Sequence, residues 1–393
     1  MVTKLETYAP EGARSLRRAR GATVYTDPGA ARGVWEALYA QAPASPYQSF
    51  AFVDAWLQTL GHTQNATPFI VVAQDGDARA LLPLVIERLG PLRVASFACG
   101  RESNFNLALI GAGATPGEAD MRALLRDAAK ASDARVDLFY LRNQPRRFEG
   151  ADNPLAFANA LPSPSFAYGA ALPADAGDLD ARFSKDARKK LRKKEARLAQ
   201  MGELFYEHAA SGDAAREIVA ALLAQKAARL AAQGVGSNFG DASMHEFMER
   251  LLATAPPGEV EAHALRLSGR IVAAYVGLTR NLRFCAMVNS YDADDDIARS
   301  SPGELLLHAL LRNLCARGFT HFDLGAGEAR YKNSVCDETI ELCDTLVPVT
   351  PGGALACAAL TAAQRAKRKI KQTPWLFNAL IRVRRRLAGV ARD

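Results

Sequence analysis

The sequence lacks the patterns that build metal clusters, disulfide frameworks and membrane spans. Its six histidines and six cysteines form no CxxC, HxH, HxxxH or HExxH spacing, which argues against a zinc site and against a disulfide scaffold. No run of about 18 apolar residues occurs, so no membrane-spanning helix is predicted. Residues 1–20 are polar and basic, without the apolar core of a signal peptide. We therefore expect a cytoplasmic protein with reduced cysteines.

Familiar nucleotide-binding and nucleophile motifs are missing as well. The sequence contains no GxSxG elbow, no GxxxxGK[ST] loop and no GxGxxG fingerprint, so nothing in it indicates an α/β-hydrolase, a P-loop NTPase or a classical dinucleotide-binding enzyme. At 393 residues the chain is too long for one ordinary core. Two domains are predicted.

Positive charge, by contrast, is abundant in two segments. Residues 182–197 carry nine Lys/Arg against two acids, and the chain from Gln364 onward carries ten against one. The first segment indicates an anion-binding helix, or else a solvated helix that links two domains. The second also carries Trp375 and Phe377, so it predicts an interfacial helix on anionic lipid, a partner-docking helix, or a core-packing tail with solvated arginines.

Hydrophobic periodicity predicts the same order of elements twice, over residues 22–171 and again over 203–349. The order is strand, two helices, three meandering strands, helix, strand, strand, and each pass is expected to end with its own closing strand. The predicted class is α/β (α+β), with two tandem domains that are each a mixed sheet flanked by helices. The predicted divisions are a basic arm (1–20), an amino-terminal domain (21–175), a carboxyl-terminal domain (176–350) and a basic amphipathic tail (351–393).

This order of elements resembles the tandem GNAT acyltransferases of the CelD-like, cellulose-biosynthesis-associated group, which are similar to Fem-type aminoacyltransferases. The stretches that carry the resemblance are PYQSFAFVDAWLQTLG, LLPLVIERLGPLRVASFACG, FSKDARKKLRKKEARL, SSPGELLLHALLRNLCARG and FDLGAGEARYKNS. The resemblance implies an N-acyltransferase that moves an acyl group, with acetyl the leading candidate, from acyl-CoA to an amine. A sugar or polysaccharide precursor is the implied acceptor, and no metal is implied.

Two other functions remain open at this point. The basic segment 182–197 favours a Fem-type transferase that takes aminoacyl groups from tRNA. The basic tail, together with the absence of the usual GNAT R/Q-x-x-G-x-G/A loop, favours a non-catalytic protein on a GNAT scaffold, docked to a membrane polysaccharide synthase. Apart from tRNA in the first of these, no nucleic-acid partner is expected.

The stretch RSSPGE (299–304) stands where the family has its pyrophosphate loop. A helix start offers unpaired N–H groups and a partial positive charge. Ser300 and Ser301 add hydroxyl donors, and Gly303 permits close approach. We expect CoA phosphates here; the alternative is a well-capped helix with an apolar face. The resemblance further implies that backbone N–H groups near Val288 and Asn289 hold the thioester carbonyl.

The stretch FDLGAGEARYKNS implies the chemical step. Tyr331 is expected to protonate the departing thiolate, and Lys332 to neutralise the tetrahedral intermediate or hold a phosphate. Asp323 or Glu328 is expected to take a proton from the amine or to orient Lys332. The alternatives are a packing role for Tyr331, an ion pair beneath the sheet for Asp323, and a surface pair for Glu328 with Lys332. Four residues are assigned to the acceptor side: Gln48, Arg188, Lys189 and Tyr291.

Overall fold

The computed structural model describes residues 21–75, 78–327 and 332–373. The elements of the amino-terminal half are β1 (Ala22–Tyr25), α1 (Pro28–Gln41), α2 (Phe50–Trp56), β2 (Thr67–Asp75), β3 (Ala78–Leu89), β4 (Leu92–Phe97), β5 (Leu109–Ile110), α3 (Glu118–Ala131), β6 (Leu138–Pro145), β7 (Arg147–Phe148), β8 (Ala151–Asp152), β9 (Leu161–Pro162), β10 (Ala167–Ala171), α4 (Ala176–Ala181) and α5 (Lys185–Ala199). A π-helical turn at Leu57–Gly61 extends α2.

The carboxyl-terminal half repeats the order. Its elements are β11 (Leu204–Ala209), α6 (Gly212–Ala232), α7 (Ala242–Thr254), β12 (Val260–Leu267), β13 (Arg270–Arg280), β14 (Arg283–Tyr291), α8 (Asp295–Ala298), α9 (Pro302–Ala316), β15 (His321–Ala326), α10 (Lys332–Val335), β16 (Glu338–Ile340), β17 (Leu342–Pro348) and α11 (Pro351–Gln372). The predicted architecture of two mixed sheets flanked by helices is confirmed.

The two sheets exchange their closing strands. The first sheet has the order β1-β2-β3-β4-β6-β17-β9, and the second has the order β11-β12-β13-β14-β15-β10-β16. Strand β10 pairs antiparallel with β15, and β17 pairs antiparallel with β6. The expectation that each pass keeps its own closing strand is therefore wrong, because alternation of side chains shows that a strand exists and not which edge it joins. No single cut of the chain separates the two sheets.

A shared apolar core also joins the two units. The ring of Phe52 on α2 meets the ring of Phe247 on α7 edge-on, with 5.5 Å between their centroids. Trp35 and Trp56 of the amino-terminal unit belong to the same buried cluster as Leu251 of α7. Burying several large side chains contributes about 1.5–3 kcal/mol each. The units are thus held as one body on this side.

The end of the described chain docks on the first sheet. On α11, Gln364 Nε2 donates to Asp344 Oδ2 of β17 at 2.7 Å, and Leu360 packs against Leu138 and Leu346. No described helix combines the length and apolarity that crossing a membrane requires. The predicted arm (1–20) and the tail beyond Thr373 lie outside the described residues.

Candidate active site

The parallel strands β14 and β15 pair only at their beginnings. Their register covers Arg283 with His321 through Cys285 with Asp323, although β14 continues to Tyr291 and β15 to Ala326. Beyond the last pair the two strands diverge. This leaves a wedge-shaped opening, called here the splay, whose backbone edges have no partner strand and can receive a ligand.

The narrow end of the splay is closed by a buried ion pair. Asp323 is 1% exposed, and Arg283 Nη1 donates to its two carboxylate oxygens at 2.9 and 3.0 Å. Cys285 Sγ lies 3.3 Å from the same carboxylate. Asp323 therefore ties β14 to β15 and has no access to an acceptor amine. The predicted catalytic role is wrong, and the alternative of an ion pair beneath the sheet is what the structure shows.

The register of the β13–β14 hairpin decides which backbone groups face the splay. Its two-residue turn, Asn281 and Leu282, has φ values of 49° and 59°, the geometry that closes a tight hairpin with a hydrogen-bonded pair. Bonded and non-bonded pairs alternate from there, so Ala286 falls on a non-bonded pair and its N–H and C=O point toward β15.

A bulge then repeats this orientation. Met287 is an extra residue in the register, because Gly277 pairs with Ala286 while Val276 pairs with Val288. Such an insertion shifts the alternation by one, which turns Asn289 to the same edge as Ala286. Two hydrogen bonds confirm these orientations, because the carbonyl oxygens of Ala286 and Asn289 accept from the side chains of Asn104 and Lys226 and not from a neighbouring strand. The N–H of Asn289 accordingly faces the splay.

Two lysines supply positive charge at the splay. Lys226 on α6 donates from Nζ to Asn289 O at 2.9 Å. Burial, together with the positive charges of Arg229 and Lys332, lowers its pKa to about 8. Lys332 is 6% exposed and donates to Leu324 O at 2.8 Å and Gly325 O at 3.0 Å. These hydrogen bonds fix the backbone at the end of β15. Lys226 was not predicted, because a lysine inside a helix carries no local signal.

A cavity of about 290 Å³ lies between β14 and the start of α9. Four predicted residues meet there, namely Asn289, Tyr291, Ser301 and Gly303. No side chain caps α9, and Ser301 is left-handed with φ 52°. Pro302 has no N–H, so the N–H of Gly303 is the first that the helix presents. Tyr291 was predicted on the acceptor side, but the structure places it at this cavity.

Two more residues shape that helix start. Ser300 is fully buried, and its Oγ has no hydrogen-bond partner among the described residues. Glu304 in the first turn forms an ion pair with Lys194 of α5, so its negative charge is offset beside the cavity. The start of α9 thus combines a partial positive charge with free donors.

A larger cleft of about 910 Å³ lies on the other side of β14, between the two units. Val288 and Met287 line one wall, and Glu102 lines the wall from the amino-terminal unit. Burial raises the pKa of Glu102, and the hydrogen bond from Trp56 Nε1 at 3.2 Å offsets this in part. A carboxylate with a raised pKa in a cleft is a candidate proton acceptor.

Gln48 does not reach this cleft. It is 2% exposed, its Nε2 donates to Phe105 O at 2.7 Å, and its Oε1 accepts from Ser45 N at 3.1 Å. Both ends of the amide are therefore used inside the amino-terminal unit, where they brace the loop that follows β4. The predicted contact with an acceptor is contradicted.

The two basic residues assigned to the acceptor lie on α5. Arg188 is half-buried and lines a separate cavity of about 760 Å³ beside α9, together with His308 and Arg312. Lys189 is exposed. Neither residue lines the 290 Å³ cavity or the 910 Å³ cleft, so their role in substrate binding stays a prediction. Glu328 and Tyr331 lie outside the described residues, and their roles stay predictions as well.

A cluster of possible metal ligands lies within the described sheet, on β11 and β12. His208, Glu261 and His263 bring their ligand atoms within 4.8 Å of one another. Arg317 donates to both oxygens of Glu261, at 2.9 Å from Nη1 and closely from Nη2. Burial lowers the pKa of His263 to about 4, so it is neutral at pH 7. The guanidinium already neutralises Glu261, and the cluster is an internal ion-pair network.

Residues 185–333 match the Acetyltransferase (GNAT) domain family. The matched segment begins with α5 and ends just past β15, so it contains the splay, both lysines and the start of α9. This match supports a GNAT-type transferase, as the sequence predicted. No curated protein sequence matches the chain. The finer resemblance to the CelD-like group rests on the sequence motifs.

Solved structures show the same fold across most of the chain. FemX is 9% identical with a TM-score of 0.53, covering 80% of this chain and 96% of that one. The carboxyl-terminal domain of a protein assigned as a lysylphosphatidylglycerol synthetase from Agrobacterium fabrum is 14% identical with a TM-score of 0.52, covering 85% and 97%. A conserved Bacteroides thetaiotaomicron protein of unknown function is 14% identical with a TM-score of 0.51, covering 82% and 99%. At these identities the likeness concerns the fold alone.

Proposed function

We propose that the protein is an acyl-CoA-dependent N-acyltransferase whose donor lies in the splay between β14 and β15. The observation that carries the proposal is the outward-facing N–H of Asn289, at the edge that the bulge at Met287 turns toward β15. An amide donor held in place before the reaction can stabilise negative charge as it develops on a thioester carbonyl oxygen.

The start of α9 supports a site for the CoA phosphates. Gly303 and Ser301 line the same cavity as Asn289 and Tyr291, so a chain anchored at the helix start can run along β14 toward the Asn289 N–H. The uncapped helix end attracts phosphate by its partial positive charge. Lys194 offsets the one acid of the first turn, Glu304.

The chemical step joins the acceptor amine to the acyl carbon. The amine nitrogen attacks the thioester carbonyl, Glu102 takes the proton that the nitrogen loses, and the carbon–sulfur bond breaks. The departing thiolate takes a proton from Tyr331. Lys226, which donates to the carbonyl of Asn289 at 2.9 Å, adds positive charge near the developing oxyanion. Lys332 holds the end of β15 in place for this geometry.

The 910 Å³ cleft supports an acceptor larger than a single amino acid. It lies between the units and carries acids as well as apolar side chains, among them Glu87, Glu102 and Asp241. Acids favour an acceptor that arrives as an ammonium ion, which loses one proton to solvent before its nitrogen attacks. By resemblance to the CelD-like group we assign an amine on a sugar or polysaccharide precursor, with the tail beyond Thr373 attaching the protein to an anionic membrane surface or a partner.

The test measures CoA binding and thiol release together. Calorimetry should show that the native protein binds both CoA and acetyl-CoA. The rate of thiol release from acetyl-CoA should rise when a panel of amino sugars is added. Binding without release for every amine in the panel contradicts the assigned acceptor class. Absence of any CoA binding contradicts the donor and leaves the scaffold function.

A second candidate is a transferase that takes its acyl group from aminoacyl-tRNA. The observation that favours it is helix α5, KDARKKLRKKEARLA, which carries eight basic residues against two acids. It lies beside the start of α9 through the Lys194–Glu304 pair, and such a helix binds nucleic-acid phosphates in a salt-dependent way. This candidate is supported if charged tRNA binds more tightly than CoA and serves as the donor in the transfer assay.

A further inference from the structure

A side chain from the amino-terminal unit lies inside the splay. Asn104, in the loop after β4, donates from Nδ2 to Ala286 O of β14 at 3.3 Å and accepts at Oδ1 from Ala326 N of β15 at 3.1 Å. One amide thus bridges both strands where they begin to part. It takes the place that a further pair of the ladder would have.

The bridging amide is fixed from two sides. Nδ2 also donates to the hydroxyl of Tyr47 at 2.8 Å, and Tyr47 is 1% exposed. On the other side, Gly325 is left-handed with φ 69°, and a Cβ on it would lie 2.4 Å from the Asn104 side chain. Only glycine permits so close an approach at that conformation. The amide is therefore a rigid obstacle and not a mobile surface group.

The Asn104 amide lies where the acyl end of a thioester bound in the splay would reach. A thioester that enters from the start of α9 reaches Asn289 first, and its acyl chain then points along β14 toward Ala286. Three residues at about 3.3 Å each put the bridging amide within roughly 10 Å of the Asn289 N–H. We infer that Asn104 is the end stop of the acyl channel and restricts the donor to short acyl groups. This inference rests on the proposed function.

The space behind the amide explains why a stop matters. Asn104 also lines the 910 Å³ cleft, whose wall nearby includes Met244, Phe247, Met248 and Met287. Removal of the amide gives an acyl chain in the splay access to this apolar part of the cleft wall. A longer chain that enters it buries methylene groups, and each fully buried methylene raises affinity about fourfold.

The experiment compares Asn104→Ala with the matched control Asn104→Leu. Both substitutions remove the same hydrogen bonds, but only alanine removes the obstacle. Calorimetry measures the dissociation constants of CoA, acetyl-CoA and octanoyl-CoA. The native protein should prefer acetyl-CoA. Asn104→Ala should shift the octanoyl-to-acetyl affinity ratio by tenfold or more toward octanoyl, whereas Asn104→Leu should keep the native preference. If Asn104→Ala does not fold, Asn104→Ser, which is also small but keeps a hydrogen-bonding group, replaces it.

The outcomes separate the inference from the function on which it rests. An unchanged ratio in Asn104→Ala, or equal shifts in the alanine and leucine variants, overturns the end stop while acyl-CoA binding stands. Equal affinity of the native protein for octanoyl-CoA and acetyl-CoA also overturns it. If the native protein binds none of the three ligands, the proposed donor and the inference fail together.

Discussion

The two units share one order of elements but differ at the start of the helix that follows the meander. In the amino-terminal unit, Asp120 Oδ2 accepts from Gly117 N at 2.8 Å, and Glu118 stands in the same turn of α3. In the carboxyl-terminal unit, no side chain caps α9. Carboxylates at a helix start occupy its donors and repel phosphate. The proposed phosphate site at α9 therefore has an uncapped helix start, whereas the start of α3 is occupied by Asp120.

The parallel strands show a second difference. In the amino-terminal unit, the loop after β4 fills the edge of β6, because Asn106 donates from its backbone N to Asn143 O at 3.1 Å and from Nδ2 to Arg142 O at 2.9 Å. In the carboxyl-terminal unit, the corresponding edge receives one side chain, Asn104, from that same loop. The loop after β4 thus closes the edge of β6 in the first sheet, whereas it leaves most of the splay in the second sheet open. This supports the proposal of a single donor site, in the carboxyl-terminal unit.

The largest expected effect tests whether the amino-terminal unit contributes chemistry. Glu102→Gln should lower the turnover number by about 10²–10⁴-fold, since general base catalysis contributes that much, and CoA affinity should barely change. Thiol release with the best amine and calorimetry with CoA measure the two quantities. Glu87→Gln, in the same cleft, is the control and should retain the native turnover number at saturating amine, because Glu87 takes no proton in the proposed step. Native turnover in Glu102→Gln contradicts the assignment of the general base to the amino-terminal unit.

The next prediction concerns the narrow end of the splay. The pairs at the corresponding place in the first sheet are apolar, Val94 with Leu138 and Ala95 with Phe139. Arg283→Met leaves Asp323 buried without its cation and should lower the free energy of unfolding by about 3–5 kcal/mol. The double variant Arg283→Met/Asp323→Leu should recover much of the loss. Denaturant unfolding measures both, and equal losses in the two variants contradict the pairing.

A smaller effect tests the helix starts directly. Ser301→Asp places a negative charge at the start of α9 and should weaken CoA binding about tenfold, or 1.4 kcal/mol. Gly117→Asp places the same charge at the start of α3 and should leave CoA affinity unchanged. Calorimetry of the folded variants measures both. Unchanged affinity in Ser301→Asp, or equal weakening in both, removes the phosphate site from α9.

The last prediction concerns a pH dependence at Lys226. Its pKa is about 8 in the folded protein against 10.5 for an ordinary lysine, so between these values the unfolded chain binds more protons. The free energy of unfolding should then rise with pH from about 8 to 10.5, and this rise should be weaker in Lys226→Met. Denaturant unfolding across that range measures it. Parallel pH curves for the two proteins show that burial does not shift Lys226.

Local patterns determined a large part of this protein. Period-two and period-3.6 spacing predicted the order of elements twice, and Pro302 after two serines marked the start of α9. The helix start predicted Ser301 and Gly303 as site residues, the resemblance added Asn289, and the structure places these three at one cavity together with Tyr291, which was assigned to the acceptor. Such signals are readable because each depends on neighbours within a turn or a strand.

Tertiary structure decided what these patterns do not contain. Asp323 finds its partner 40 residues away in Arg283, and Asn104 meets β14 182 residues further along the chain. The exchange of β10 and β17 between the sheets and the position of Lys226 depend on the same kind of distant contact. A residue's own sequence neighbourhood specifies its face on a helix or strand, whereas its partner is set by the packing of elements that the chain brings together only when it folds.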